Sequence, residues 1–225
     1  MAEKRRKHRK KRRRKIGKGM VFLLVLLLTG TVLFMEQNHR TSLPESSDGW
    51  ELMLVNQDHP LASSYVPSLL TLDNGEQVDE RIYPALQHMF DDARSQGIEL
   101  YVRSGYRSFE DQKALYDSTV QSYLDQGMSE EEAEAETEQY TAAPGTSEHQ
   151  TGLAVDINTV NDNITSDTAL WLEANAPSYG FVKRYADDKA DITGINNEPW
   201  HYRYVGTEAA QYMTEHNLCL EEYVS

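Results

Sequence analysis

Seventeen consecutive residues, Gly19 to Met35, read GMVFLLVLLLTGTVLFM without a single charge, directly after a stretch in which twelve of the chain's 22 lysines and arginines fall within the first 18 positions. A run this long and apolar fits a bilayer core better than a water-soluble fold, given a modest tilt and a snorkelling Lys18. The basic flank predicts a cytoplasmic N-terminus and places everything after Met35 outside. Alone, the run from Lys4 to Lys18 would suit RNA or any other polyanion. Its apolar neighbour assigns it to the membrane surface instead, and no nucleic-acid partner is expected. A cleaved signal peptide is the competing reading, but no small-x-small cleavage site follows the apolar run and no cysteine stands beside it for lipid attachment.

Beyond this run the balance inverts. Ten basic residues face 35 acidic ones, so the remainder of the chain carries about −25 against a formal net charge of −14 for the whole. The polar segment 36–49, with Pro44, reads as a stalk, and residues 50–225 have the length of one domain able to bury a core. Cys219 is the one cysteine, so it forms no internal disulfide and supplies no thiolate cluster; it is expected as a small buried hydrophobe. The oligomeric state is left open.

Within the domain, WELMLVN at 50 to 56 reads as a strand or extended segment, and Leu61 to Asp73, with prolines at 60 and 67, as loop. Ile82, Leu86, Met89 and Phe90 recur at helical spacing, predicting an amphipathic helix over 81–96 that Gly97 ends. Ile98 to Val102 is a short strand. Ser108 with Asp111 caps a helix from Phe109 to about Gln126, and Ser129 with Glu132 forms a capping box for an acidic helix through Tyr140. Strands are predicted at 153–157, 181–185 and 201–205, with helices at 168–175 and from about Thr207. This mixture has no regular strand–helix–strand repeat, so the predicted class is α+β, with a small antiparallel sheet flanked by helices.

Two motifs carry the chemistry. His149 and Asp156 lie seven apart with Gly152 between them, on a turn and its following strand, and small Ala154 leaves room for both to enter one pocket. Glu198 and His201 lie three apart around a proline. Two imidazoles and a carboxylate are a donor set for catalytic zinc, which keeps one position open for water, and Glu198 could take that water's proton without being a ligand. Each pair by itself is also compatible with surface or hydrogen-bonded residues.

The joint pattern resembles the VanY-type D-alanyl-D-alanine carboxypeptidases, zinc peptidases acting on cell-wall stem peptides. The resemblance covers roughly 65–205 and rests on RSGYRSFEDQ at 103 to 112, APGTSEHQTGLAVDI at 143 to 157, FVKRY at 181 to 185 and DITGINNEPWHYRYVG at 191 to 206. It implies the compact fold shared by D,D-peptidases and Hedgehog signalling domains, with Zn2+ at the base of an open cleft. It further implies zinc ligands His149, Asp156 and His201, with Glu198 as general acid and base. Arg107 would hold either the peptide's terminal carboxylate or the oxyanion formed on attack. Gln112 and Ser147 match positions expected to contact substrate, and Trp200 is expected as a pocket wall that borders it. Tyr106 is read similarly, Tyr185 could line the cleft, and Arg103 is balanced between a structural ion pair and a substrate role. The acidic helix at 130 to 138 reads as a variable insertion.

The resemblance implies hydrolysis of the terminal D-alanine of a peptidoglycan stem peptide. An L,D-carboxypeptidase acting on tetrapeptide stems is the alternative within enzymes, and a non-catalytic wall-binding module the alternative outside them. His39, His59, His88 and His216 fall outside the motifs and are expected to be solvent-exposed or locally bonded.

Overall fold

The computed structural model describes residues 49–159 and 165–225, so the basic stretch, the apolar run and the stalk up to Asp48 lie outside the described residues. Among the described residues no helix is long and apolar enough to cross a membrane. In chain order the regular elements are β1 (Leu69–Thr71), β2 (Gln77–Asp79), α1 (Tyr83–Ser95), β3 (Leu100–Ser104), α2 (Phe109–Asp125), α3 (Glu130–Glu138), β4 (Ala154–Thr159), α4 (Ser166–Asn175), β5 (Phe181–Lys183), α5 (Ala190–Thr193), β6 (His201–Tyr204), α6 (Thr207–Glu215) and α7 (Leu220–Tyr223). The fold is α+β.

Local signals explain the first three helices. Leu86, Met89 and Ala93 give α1 its buried stripe. The Ser108 hydroxyl accepts from the Asp111 amide at 3.1 Å to start α2, and Ser129 and Glu132 close a reciprocal capping box ahead of α3. Each such cap satisfies backbone donors that a helix start otherwise leaves unpaired and contributes roughly 1 kcal/mol. The helix α2 packs against α3.

Four strands pair antiparallel in the order β3-β4-β6-β5, and β1 pairs separately with β2. Alternation along a strand gives each face its own character. Val155 and Ile157 of β4 and Tyr202 of β6 enter the main core with Leu86 and Met89 of α1, Leu172 of α4 and Phe181 of β5. Burial of each large side chain there contributes about 1.5–3 kcal/mol. Asp156 and His201, at the intervening positions, are cross-strand partners on the opposite face, and Ser104 of β3 lies across from Asp156 on its other side. The sheet thus secures itself on one face and presents a polar site on the other.

Two expectations need correction. WELMLVN is not a strand: Trp50–Leu52 form a 3₁₀ turn. Its apolar residues serve two cores, Trp50 packing on the main one and Leu52 and Leu54 on a second built from Val182, Val205, Ala210, Met213, Leu220 and Tyr223. An extended ladder would not divide them in this way. The segment read as loop contains β1, whose three residues are too short to alternate visibly. Cys219 is buried as expected, and burial pushes its thiol up to about 11.

Candidate metal centre and active site

His149 sits in the 3₁₀ turn Glu148–Thr151, which Gly152 ends in the left-handed region at φ 69. A side chain at Gly152 would also bring a Cβ to 2.7 Å from the Asp79 amide, so glycine is required for the chain to turn tightly from His149 into β4. Four residues on, Asp156 leaves β4 on the same side as His201 of the neighbouring β6.

The three predicted ligands converge. One donor atom from each of His149, Asp156 and His201 lies within 4.8 Å of the others. Asp156 Oδ1 is 3.4 Å from His149 Nε2 and 3.0 Å from His201 Nδ1. The imidazole rings stand edge to face, 4.9 Å between centroids. His149 Nδ1 is 2.7 Å from the Gly105 carbonyl; donating there leaves the Nε2 lone pair for an ion. Two imidazole nitrogens and a carboxylate oxygen at this spacing fit zinc with a position to spare.

The electrostatics match a site built for a cation. Burial would raise Asp156, yet His149 and His201 hold its carboxyl well below the usual range. Burial lowers His149. It would lower His201 too, but the hydrogen bond that His201 donates to Asp156 and the nearby Glu148 carboxylate prevail and raise it to about 9. Glu198 Oε2 lies 3.7 Å from His201 Nδ1, and burial pushes its carboxyl up to about 7. A carboxyl tuned near neutrality can both accept and return a proton at working pH.

A cleft of about 200 Å³ is lined by Arg107, Gln112, Ser147, His149, Asp156, Tyr185, Glu198, Trp200 and His201, whereas Arg103 and Tyr106, also weighed for substrate roles, are not among its lining residues. Arg107 is fixed rather than free, donating to Gln112 Oε1 at 2.8 Å and to Ser104 Oγ at 2.9 Å. Burial lowers its pKa, opposed by Asp156 and Glu198. Gln112 also donates to the Ala142 carbonyl at 2.6 Å, so its amide is committed to protein at both ends. Tyr185 packs its ring 4.9 Å from that of His201.

Reading by motif gave no role to Glu148, which is fully buried beside the site, nor to Arg184 and Arg203, which bind it. Glu148 is part of the first motif, and its position next to a ligand was the available signal. Leu115 and Tyr140 at the cleft's rim were likewise missed; they are exposed and apolar, at 39% and 52%. His59, His88 and His216 lie outside the cleft.

A family model described as D-alanyl-D-alanine carboxypeptidase, VanY, matches residues 75–207. The chain belongs to the VanY family. A D-alanyl-D-alanine carboxypeptidase of Enterococcus faecalis (strain ATCC 700802 / V583) is 46% identical over 200 residues, 88% of this chain and 75% of that protein. A mutant of the vancomycin resistance D,D-pentapeptidase VanY from a VanB-type cassette, in complex with Zn(II), has a TM-score of 0.74 at 47% identity, covering 78% of this chain and 99% of that one. VanYB in complex with D-alanine-D-alanine also gives 0.74, at 48% identity, covering 78% and 97%. The VanY family resemblance therefore extends from the motifs to the whole described domain.

When bound, zinc at such a site acidifies a water molecule and polarises a carbonyl oxygen. With such an ion in place, Glu198 would be the group to take up that proton and pass it to the departing amine. Arg107, with its fork oriented by Gln112 and Ser104, offers paired donors to a carboxylate or a developing oxyanion.

Proposed function

We propose that this protein is a zinc-dependent D-alanyl-D-alanine carboxypeptidase that removes the terminal D-alanine of peptidoglycan stem peptides while held at the outer face of a membrane. One observation carries the activity: His149, Asp156 and His201 converge in a cleft that Glu198 and Arg107 also line, which supports reading the first three as zinc ligands, Glu198 as base and Arg107 as anion-binding group. A structural zinc site fills its coordination sphere with protein ligands; three ligands beside a carboxyl of pKa about 7 are the arrangement of a hydrolase and argue against a wall-binding module. A rigid guanidinium in the cleft suits an exopeptidase, whose substrate ends in a carboxylate.

The membrane tether is supported by residues 19–35 and their basic flank. Residues 36–49 serve as stalk, and the domain from 50 onward faces outward, close to nascent wall.

Purified, zinc-loaded protein given defined pentapeptide and tetrapeptide stems should release D-alanine from the pentapeptide, lose activity to a chelator and regain it with zinc. Release from the tetrapeptide alone would make it an L,D-carboxypeptidase. Activity that survives exhaustive metal removal would refute the mechanism. For the tether, fractionation of cells making the full chain and a chain lacking 1–35 should find only the former with membranes.

A further inference from the structure

The two histidine ligands present different nitrogens to the centre. His149 directs Nε2 to Asp156 and Nδ1 to the Gly105 carbonyl, whereas His201 directs Nδ1 to Asp156. A neutral imidazole carries one proton, so His201 can give its Nδ1 lone pair to an ion only when that proton sits on Nε2. His201 Nε2 faces Glu148 Oε2 at 3.8 Å. Both atoms are buried, and neither has a hydrogen-bond partner among the described residues. A shift of about 1 Å would bring them into hydrogen-bond range, and a buried donor and acceptor left unpaired are each destabilising.

We propose that Glu148 is the positioning residue of the metal site: its carboxylate accepts a hydrogen bond from the Nε2–H of His201, keeping the proton on Nε2 and so fixing His201 as an Nδ1 ligand. The inference rests on His149, Asp156 and His201 being the zinc ligands. Glu148 is itself oriented for this role. Its Oε1 accepts from Arg184 Nε at 2.8 Å and from Arg203 Nη1 at 2.9 Å, which leaves Oε2 to His201. Arg203 in turn donates through Nη2 to the backbone carbonyls of Glu51 and Met53, at 3.0 and 2.8 Å. Arg184 holds Glu221 at the C-terminal end of the chain with two further bonds, at 2.6 and 3.0 Å.

This cluster is an expensive way to fill space. Buried ion groups seldom stabilise a fold more than packed hydrophobic residues would, so stability alone gives little reason for two arginines and a glutamate beneath the sheet. A fixed negative charge behind a metal-binding histidine does give a reason: it sets the tautomer, holds the ring and raises the donor's basicity. The chain that enters the domain at Glu51–Met53 and the helix that ends it at Glu221 thereby support one ligand of the centre.

Zinc competition against a chromophoric chelator tests this with the full chain. Glu148→Gln should bind zinc about 10–100-fold more weakly and shift the visible spectrum of the cobalt-substituted protein. Glu221→Gln loosens Arg184 while Arg203 still holds Glu148 Oε1, so it should weaken zinc binding less than Glu148→Gln does. Histidine nitrogen NMR of the unmutated zinc protein reads the tautomer directly, even if Glu148→Gln fails to fold. His201 metallated at Nδ1 and protonated at Nε2 supports the proposal. His201 metallated at Nε2, or unaltered zinc affinity in Glu148→Gln, overturns it. D-alanine release by the unmutated protein tests the function separately from these readouts.

Discussion

Gln112 holds Arg107 from the side, its amide oxygen accepting from the guanidinium at 2.8 Å while its amide nitrogen anchors on the Ala142 carbonyl at 2.6 Å. Both ends of the Gln112 amide, expected to contact substrate, are thus engaged in holding Arg107 in place. Gln112→Leu, close in volume, should reduce kcat/KM by about 10²-fold through misplacement of Arg107, with zinc content unchanged. Full activity in this variant would show that Arg107 needs no such tie.

Glu198 is the group whose loss should separate metal binding from turnover. Glu198→Gln keeps the size of the side chain and removes the proton carrier, so kcat should fall by about 10²–10⁴-fold. Metal analysis of the same preparation should find zinc retained. Turnover within tenfold of the unmutated protein would exclude Glu198 as the general base.

Metal-free protein should lose stability between pH 7 and 9. His201 is raised from 6.5 to about 9, so the folded state holds a proton that the unfolded state gives up; the resulting stabilisation is complete below 6.5 and lost as pH climbs through 9. Glu198, raised by burial from 4.5 to about 7, acts in the same direction, its contribution disappearing as pH passes 7. His149, lowered from 6.5 by burial, opposes them only below 6.5. The net loss should be about 1–3 kcal/mol. Thermal melts with chelator across this window should show the fall, and zinc, which binds neutral His201, should abolish it.

Gly105 should tolerate no side chain. A Cβ there would lie 2.1 Å from the Gln77 carbonyl oxygen, while Gly105's own carbonyl faces His149 Nδ1. Gly105→Ala must push β2 away or displace the first ligand. The expected result is at least about 2 kcal/mol of lost stability together with weaker zinc binding. Denaturant melts and chelator competition measure the two effects; a variant unchanged in both would contradict the close approach.

The sequence revealed what local chemistry encodes. The helices α1, α2 and α3 were legible because their stripes and caps lie within a few residues of one another, and the ligands because their motifs are contiguous. The strand β1 escaped because three residues cannot display a period of two, and Trp50–Leu54 misled because its apolar residues are divided between cores formed by distant segments. Glu148 escaped for the same reason. Its burial becomes intelligible only when Arg184 and Arg203, 36 and 55 residues further along, close on it.

The β4–β6 pairing that sets Asp156 against His201 is made from backbone hydrogen bonds and from Val155, Ile157 and Tyr202 in the core, none of which needs an ion. Small zinc domains that lack such a core gain their fold from the metal. Here the register that brings Asp156 opposite His201 is carried by residues the ion does not touch, so the metal-free protein should keep its fold. Scarcity of zinc would leave this protein idle but intact, ready to resume work when the metal returns.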